Sequence, residues 1–221
     1  KGDYSLVDFN RAGVPLMELV TEPMIHSAKE AADFARELQL LLRELEVSEA
    51  NMEKGEMRVE ANISVKRSDL KSGERSDLKL GTKVEVKNLN SFRAVERAIE
   101  YEIKRQAEVL EKGEKVIQET RGWDEKKGET FSQRQKEESH DYRYFPEPDI
   151  PKLKLGEVAE FAGEALKKGL PELPWAKRQR YGKDFGIKDG DIEIFVQDKK
   201  RGKRSSDRQA AEAESTGARA L

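Results

Sequence analysis

Residues 57–65 read Met57-Arg58-Val59-Glu60-Ala61-Asn62-Ile63-Ser64-Val65, an unbroken alternation of apolar and polar side chains. A period of two puts Met57, Val59, Ala61, Ile63 and Val65 on one face of a strand and Arg58, Glu60, Asn62 and Ser64 on the other. One-sided alternation, in place of the continuous apolar run of a strand buried on both faces, points to an antiparallel sheet. The polar face carries a cation, a carboxylate, an amide and a hydroxyl in succession, a set suited to holding a metal ion and a phosphate. An ordinary half-exposed strand reads the same way until other residues are added.

Composition bounds the rest. The 221 residues suffice for one large domain or two small ones with a real hydrophobic core. Charged residues make up 39%, above the usual quarter or so, which implies a densely charged surface. The 42 Lys and Arg nearly balance the 44 Asp and Glu, so any contact with nucleic acid must come from a local patch and not from overall charge. The absence of cysteine excludes disulfides and thiolate metal sites and fits a reducing, cytoplasmic setting. No apolar run approaches membrane-spanning length, so no membrane association is expected. The chain starts at Lys1 rather than Met, as an internal piece of a longer protein would.

Two helices flank this strand. Ser27-Ala28-Lys29-Glu30 forms a capping box, and Ala31, Phe34, Leu38, Leu41, Leu42 and Leu45 follow at helical spacing to about Glu46. A second helix starts near Ser91 with the stripe Phe92, Val95, Ile99, Ile103 and Leu110, and Gly113 stands where a left-handed cap would end it. Further helices are expected over 157–168 and 174–185, the latter entered by Pro174. Strands are expected over 14–20, 82–88, 115–119 and 191–196. A direct repeat, Arg-Ser-Asp-Leu-Lys at 67–71 and 75–79, reads as a surface hairpin or loop. The interleaved pattern predicts an antiparallel α+β domain.

Chemistry concentrates in four places. Glu18 interrupts the apolar stretch 14–20, where a carboxylate needs a compensating partner or a route to solvent. The polar face of 57–65 is the second. The third is Lys87, Asn88 and Asn90, clustered before a helix whose first amides could receive an anion, although Ser91 serves equally as an N-cap. Glu85, on the same strand, has no assigned role. The fourth is 140–149, where Arg143 stands between Tyr142 and Tyr144, a segment suited to stacking on a base or holding a phosphate and equally to forming a loop clamped on the core. With two histidines in all, His26 and His140, a multi-histidine metal site is excluded, and any metal would be a hard ion on oxygen ligands, with Mg²⁺ the natural candidate.

Five blocks then occur in order: DYSLVDFNRAGVPLMELVTEP (3–23), GEMRVEANISV (55–65), TKVEVKNLNSFRAVERAIEYEIKRQ (82–106), ETRGWD (119–124) and HDYRYFPEPDIP (140–151). Together they resemble the B subunits of glutamine-dependent aspartyl/glutamyl-tRNA amidotransferases. The likeness continues more weakly through LPELPWAKRQRYGKDFGI (170–187) to about Lys199.

The resemblance implies a glutamine-synthetase-like cradle domain, an antiparallel sheet with flanking helices. Residues 1–151 would be its central, catalytic part, 152–199 its truncated continuation towards a helical domain, and 200–221 a disordered or out-of-frame tail. It implies a ligase that phosphorylates the side-chain carboxylate of Glu or Asp misacylated onto tRNA with ATP and Mg²⁺, and then lets ammonia displace the phosphate. Ammonia would come from a glutaminase A subunit, with a small C subunit completing a heterotrimer. By the same resemblance Glu18 and Glu60 would ligate Mg²⁺, many relatives having Asp at the latter position. Arg58 and Lys87 would neutralise the transferring phosphoryl group, and Asn62, Ser64, Asn88, Asn90 and Arg143 would contact nucleotide or substrate. Acidic motifs that the family carries upstream, and its C-terminal tRNA-engaging domains, are not in this sequence, so the chain alone is expected to be inactive. A noncatalytic RNA-binding or scaffold fragment of the same complex is the second reading.

Overall fold

The computed structural model describes residues 5–10, 12–65, 80–135 and 148–198. Helix α1 (Ala28–Glu44) begins where Ser27, in extended backbone, accepts the Glu30 N–H on its hydroxyl at 3.1 Å. The returning half of the box is displaced by one residue, because the Glu30 carboxylate accepts from the His26 N–H at 2.8 Å. Helix α2 (Phe92–Glu111) is capped in the same manner by Ser91, whose Oγ accepts from the Ala94 N–H, and ends before Gly113 at φ +78°. Both starts follow from short hydroxyl side chains that satisfy an otherwise orphaned helical amide.

Strands β1 (Val59–Ile63), β2 (Val84–Leu89), β3 (Glu119–Asp124) and β4 (Glu129–Gln135) form one sheet in the order β1-β2-β3-β4. The outer pairs are antiparallel, but β2 and β3 run parallel, with α2 as the crossover between them. The expected antiparallel sheet is therefore a mixed one. Alternation in β1 and β2 reports that a single face is covered by helix, and this holds whichever way the neighbouring strand runs. The covered face joins α1 and α2 in a core of Ala28, Ile63, Val86, Leu89, Ala94, Val95, Ala98, Ile99 and Trp123.

Three strand expectations are corrected. Residues 14–20 form no regular element, and Val14, Leu16, Met17, Leu19 and Val20 are exposed. Of 115–119 only Glu119 enters a strand. The apolar alternation at 192, 194 and 196 belongs to helix α5 (Asp189–Gln197), which buries Ile192 and Val196 while Ile194 stays exposed. Residues 157–168 resolve into short 3₁₀ turns and a brief helix α3 (Gly163–Gly169), whereas α4 (Pro174–Phe185) starts at the expected proline. Helices α4 and α5 close a second small core of Tyr181, Ile192 and Val196, against which Leu40 of α1 packs. The repeat at 67–79, the aromatic segment with His140 and Arg143, and the tail lie outside the described residues.

At the end of β1, the side chain of Gln106 donates to the Ile63 carbonyl at 3.2 Å and accepts from the Val65 N–H at 3.1 Å. Those two backbone groups flank Ser64, so the amide bonds as one residue of a parallel neighbouring strand would.

Candidate functional site

The sheet has two chemically distinct faces. On the covered face, Glu102 is fully buried and bound by Arg105 through Nε at 2.9 Å and Nη2 at 2.6 Å. Glu102 also accepts from Thr130 and Gln106. Glu119 receives Arg121 Nη1 at 2.6 Å and the Ser132 hydroxyl. Burial pushes the Glu119 carboxyl up, but Ser132, Arg121 and Arg105 outweigh it and hold the group below its ordinary value. These acids are neutralised inside the protein by fixed partners, as buried charges must be, and hold the helix to the sheet.

The open face presents two rows. Asn62, Glu85 and Thr120 are register partners across β1, β2 and β3, and Lys87 pairs with Gly122 in the next row, followed by Phe131. Between Val59 and Ala61 the pairing slips, so Glu60 stands opposite the Lys87–Asn88 step. Asn88 is the extra residue of this bulge. Its φ of +68° lies in the left-handed region, and its side-chain amide donates to the Trp123 carbonyl at 3.0 Å. The inserted residue shifts the parity of β2, so that Val84, Val86 and Leu89 all point into the core.

Lys87 is the centre of the open face. Its Nζ lies 3.2 Å from Glu60 Oε2 and 3.6 Å from Glu85 Oε1. Partial burial pulls the ammonium pKa down, while Glu60 and Glu85 together raise it above the usual lysine value. Glu85 Oε2 in turn accepts from Thr120 Oγ1 at 2.7 Å. Gly122 keeps the floor beside Lys87 low, since a Cβ there would sit 2.7 Å from the Phe131 ring and 2.5 Å from Gln133 Nε2.

Of the residues singled out in the sequence, Glu60, Asn62 and Lys87 come together on this face. Arg58 is exposed one residue before β1, and Ser64 is half-buried just past it. Asn88 and Asn90 serve the bulge, Asn90 donating to Asn88 Oδ1 at 3.2 Å. Glu18 is exposed in the irregular 14–20 segment, and among the described residues no hydrogen bond or ion pair joins it to Glu60 or Lys87. No group of three or more His, Cys, Asp or Glu side chains converges on one point among the described residues. Sequence reasoning passed over Glu85 and Thr120. The signal for Glu85 was its spacing of two from Lys87, which puts both on one face, whereas Thr120 becomes a neighbour only through the parallel pairing. Among the described residues, no helix is long and apolar enough to cross a membrane.

The sequence matches the GatB/GatE catalytic domain family over residues 1–159. Relatives named as the B subunit of aspartyl/glutamyl-tRNA(Asn/Gln) amidotransferase include that of Persephonella marina, 50% identical over 201 residues, which cover 91% of this chain and 40% of that protein. The one from Crocosphaera subtropica is 51% identical over 196 residues, 89% of this chain and 38% of its own length. The one from Thermodesulfovibrio yellowstonii is 52% identical over 196 residues, covering 89% of this chain and 39% of that protein. The chain spans about two fifths of the length of these curated relatives. Its β1 motif, its β2–α2 motif and its β3 motif all fall within the matched region, and the chain belongs to the GatB/GatE catalytic domain family.

Proposed function

We propose that the open face of the sheet is the phosphoryl-handling surface of the B subunit of a tRNA-dependent amidotransferase, of which this chain is a part. In that reaction a carboxylate oxygen of Glu or Asp esterified to tRNA attacks the γ-phosphorus of ATP, and ADP leaves. Ammonia then attacks the acyl carbon, inorganic phosphate leaves, and the side chain becomes an amide after loss of a proton. The observation that carries the reading is Lys87, a cation between two carboxylates on the sheet face opposite the helix-covered core. An ammonium so placed can exchange a carboxylate contact for a phosphate oxygen, and stabilising charge on the transferring group is the main catalytic lever in phosphoryl transfer. Arg58, exposed at the head of β1, would add to that charge, and Asn62 would hydrogen-bond the nucleotide or the substrate.

The donor chemistry fits a hard cation in kind, because the open face offers carboxylate and amide oxygens and no soft ligand among the described residues. Glu60 would hold Mg²⁺ with Glu18, and the ion would neutralise the nucleotide phosphates. The fold around this face, a mixed sheet with helices on one side, is compatible with a glutamine-synthetase-like cradle, and the A and C subunits would supply ammonia and complete the assembly. The scaffold reading is less favoured, since a surface kept only for its shape needs no cation suspended between two acids.

The test uses a full-length protein containing these residues, assembled with its glutaminase partner and supplied with ammonium, ATP and Mg²⁺. Glu60→Gln and Glu18→Gln should each remove about 2–4 kcal/mol of transition-state stabilisation from Glu-tRNA amidation, roughly 30- to 1000-fold in rate, with glutamine hydrolysis by the partner unchanged. Near-wild-type amidation by both variants would overturn the reading.

A further inference from the structure

Resting on that reading of the open face, we infer that Glu85 is the positioning residue for Lys87: it holds the ammonium over the face while Glu60 gives way to the phosphate. The two carboxylates around Lys87 are unequal. Glu60 lies on the edge strand β1 with its side chain 44% exposed, and Glu85 lies on the inner strand β2 at 13%. Glu85 is fixed a second time by the Thr120 hydroxyl at 2.7 Å, from the residue directly opposite it in the parallel β2–β3 pair. Asn62 is its register partner on the other side.

When an anion approaches Lys87, a carboxylate must retreat, because two acids and a phosphate around one ammonium leave excess negative charge. The exposed, edge-strand Glu60 can swing into water or take up a cation at little cost. The enclosed Glu85, held by Thr120, keeps its place. Its short tether, two residues along the same strand and with Oε1 3.6 Å from the ammonium, restricts where Nζ can point. Asn88 locks the backbone immediately after Lys87, so the lysine is fixed from below by the bulge and from the side by Glu85.

A group that aims another affects the chemical step more than ground-state binding. In the assembled full-length enzyme with ammonium as nitrogen donor, Glu85→Gln retains the size and an acceptor for Thr120 but removes the charge. It should lower kcat for Glu-tRNA amidation about 10- to 100-fold, as loss of a supporting contact does, with the KM for ATP changed less than about threefold. Thr120→Val should lower kcat in the same direction, and Thr120→Ser, which restores the hydroxyl, should return it to the wild-type value. Melting temperature is read alongside, and the Val/Ser pair at 120 carries the comparison if Glu85→Gln is unstable. Unchanged kcat in Glu85→Gln, or equal rates for Thr120→Val and Thr120→Ser, would overturn the assignment. Lys87→Met separates the two levels. If it leaves amidation intact, the reading of the whole face fails; if it abolishes amidation while the 85 and 120 variants do not, only the role of Glu85 fails.

Discussion

Arg178 on α4 and Glu37 on α1, 141 positions apart, meet side by side: Nη1 to Oε1 and Nη2 to Oε2 are both 2.8 Å. The same guanidinium reaches Glu193 on α5 through Nε at 2.5 Å, so one side chain ties three helices. Next to it, Lys177 lies 2.7 Å from the buried Glu44 carboxylate. Lys177, Arg178 and Arg180, the last on Glu172, thus all face protein carboxylates. Arg178→Met should weaken the attachment of α4 and α5 by about 1–2 kcal/mol, the range for a partly screened bidentate pair. Hydrogen exchange checks this: amides of α4 and α5 should lose protection while those of α2 keep theirs. Uniform loss across the chain would count against a local attachment.

Asn88 supports a second prediction. At φ +68° a residue with a Cβ is strained and glycine is not, while only asparagine supplies the bond to the Trp123 carbonyl. Asn88→Gly should cost about 1 kcal/mol for that lost bond, and Asn88→Ala about 1–2 kcal/mol more. Urea unfolding of the three proteins gives the order, and an alanine variant as stable as the glycine one would contradict the bulge assignment.

The Glu119 carboxyl gives the pH dependence. Its folded pKa lies below the ordinary 4.5, so its stabilisation is fully present above that value and disappears as pH falls through the lowered folded pKa. Stability should therefore drop on the acid side of 4.5, and Glu119→Gln should flatten that limb while lowering stability at neutral pH, where Arg121 loses the nearer of its two carboxylate partners and keeps Glu102 at 3.6 Å. Urea midpoints from about pH 7 to about pH 3 test it. Parallel acid limbs in the two proteins would remove Glu119 from the account.

What the sequence made legible depended on whether a signal was local. Caps and periodicity are local, and Ser27, Ser91, Pro174 and the alternation of β1 and β2 all led to the observed elements. The buried face of α2 did not follow from hydrophobicity alone. Ile103 was assigned inward and is 36% exposed, whereas Glu102 beside it is fully enclosed, because Arg105, Thr130 and Gln106 together satisfy its carboxylate. Two of those three partners are local, but Thr130 comes from β4, a strand no periodicity announced. The same limit applies to the site. Glu60 and Lys87 were legible as polar residues on strand faces. Their separation of 3.2 Å depends on a one-residue slip in pairing, which is a property of two strands together.

Gln106 also couples the folding and opening of two elements. Its amide joins α2 to the backbone at the end of β1, across 41 and 43 positions of sequence. Because it meets Ile63 and Val65 with both its donor and its acceptor, β1 reaches its final hydrogen-bonded state only once α2 is seated, and α2 cannot lift without baring two peptide groups. The edge strand that carries Glu60 and the helix that follows Lys87 thus open and close as one cooperative unit. The spacing of those two charges is protected by backbone hydrogen bonds made at the opposite end of β1 from Glu60.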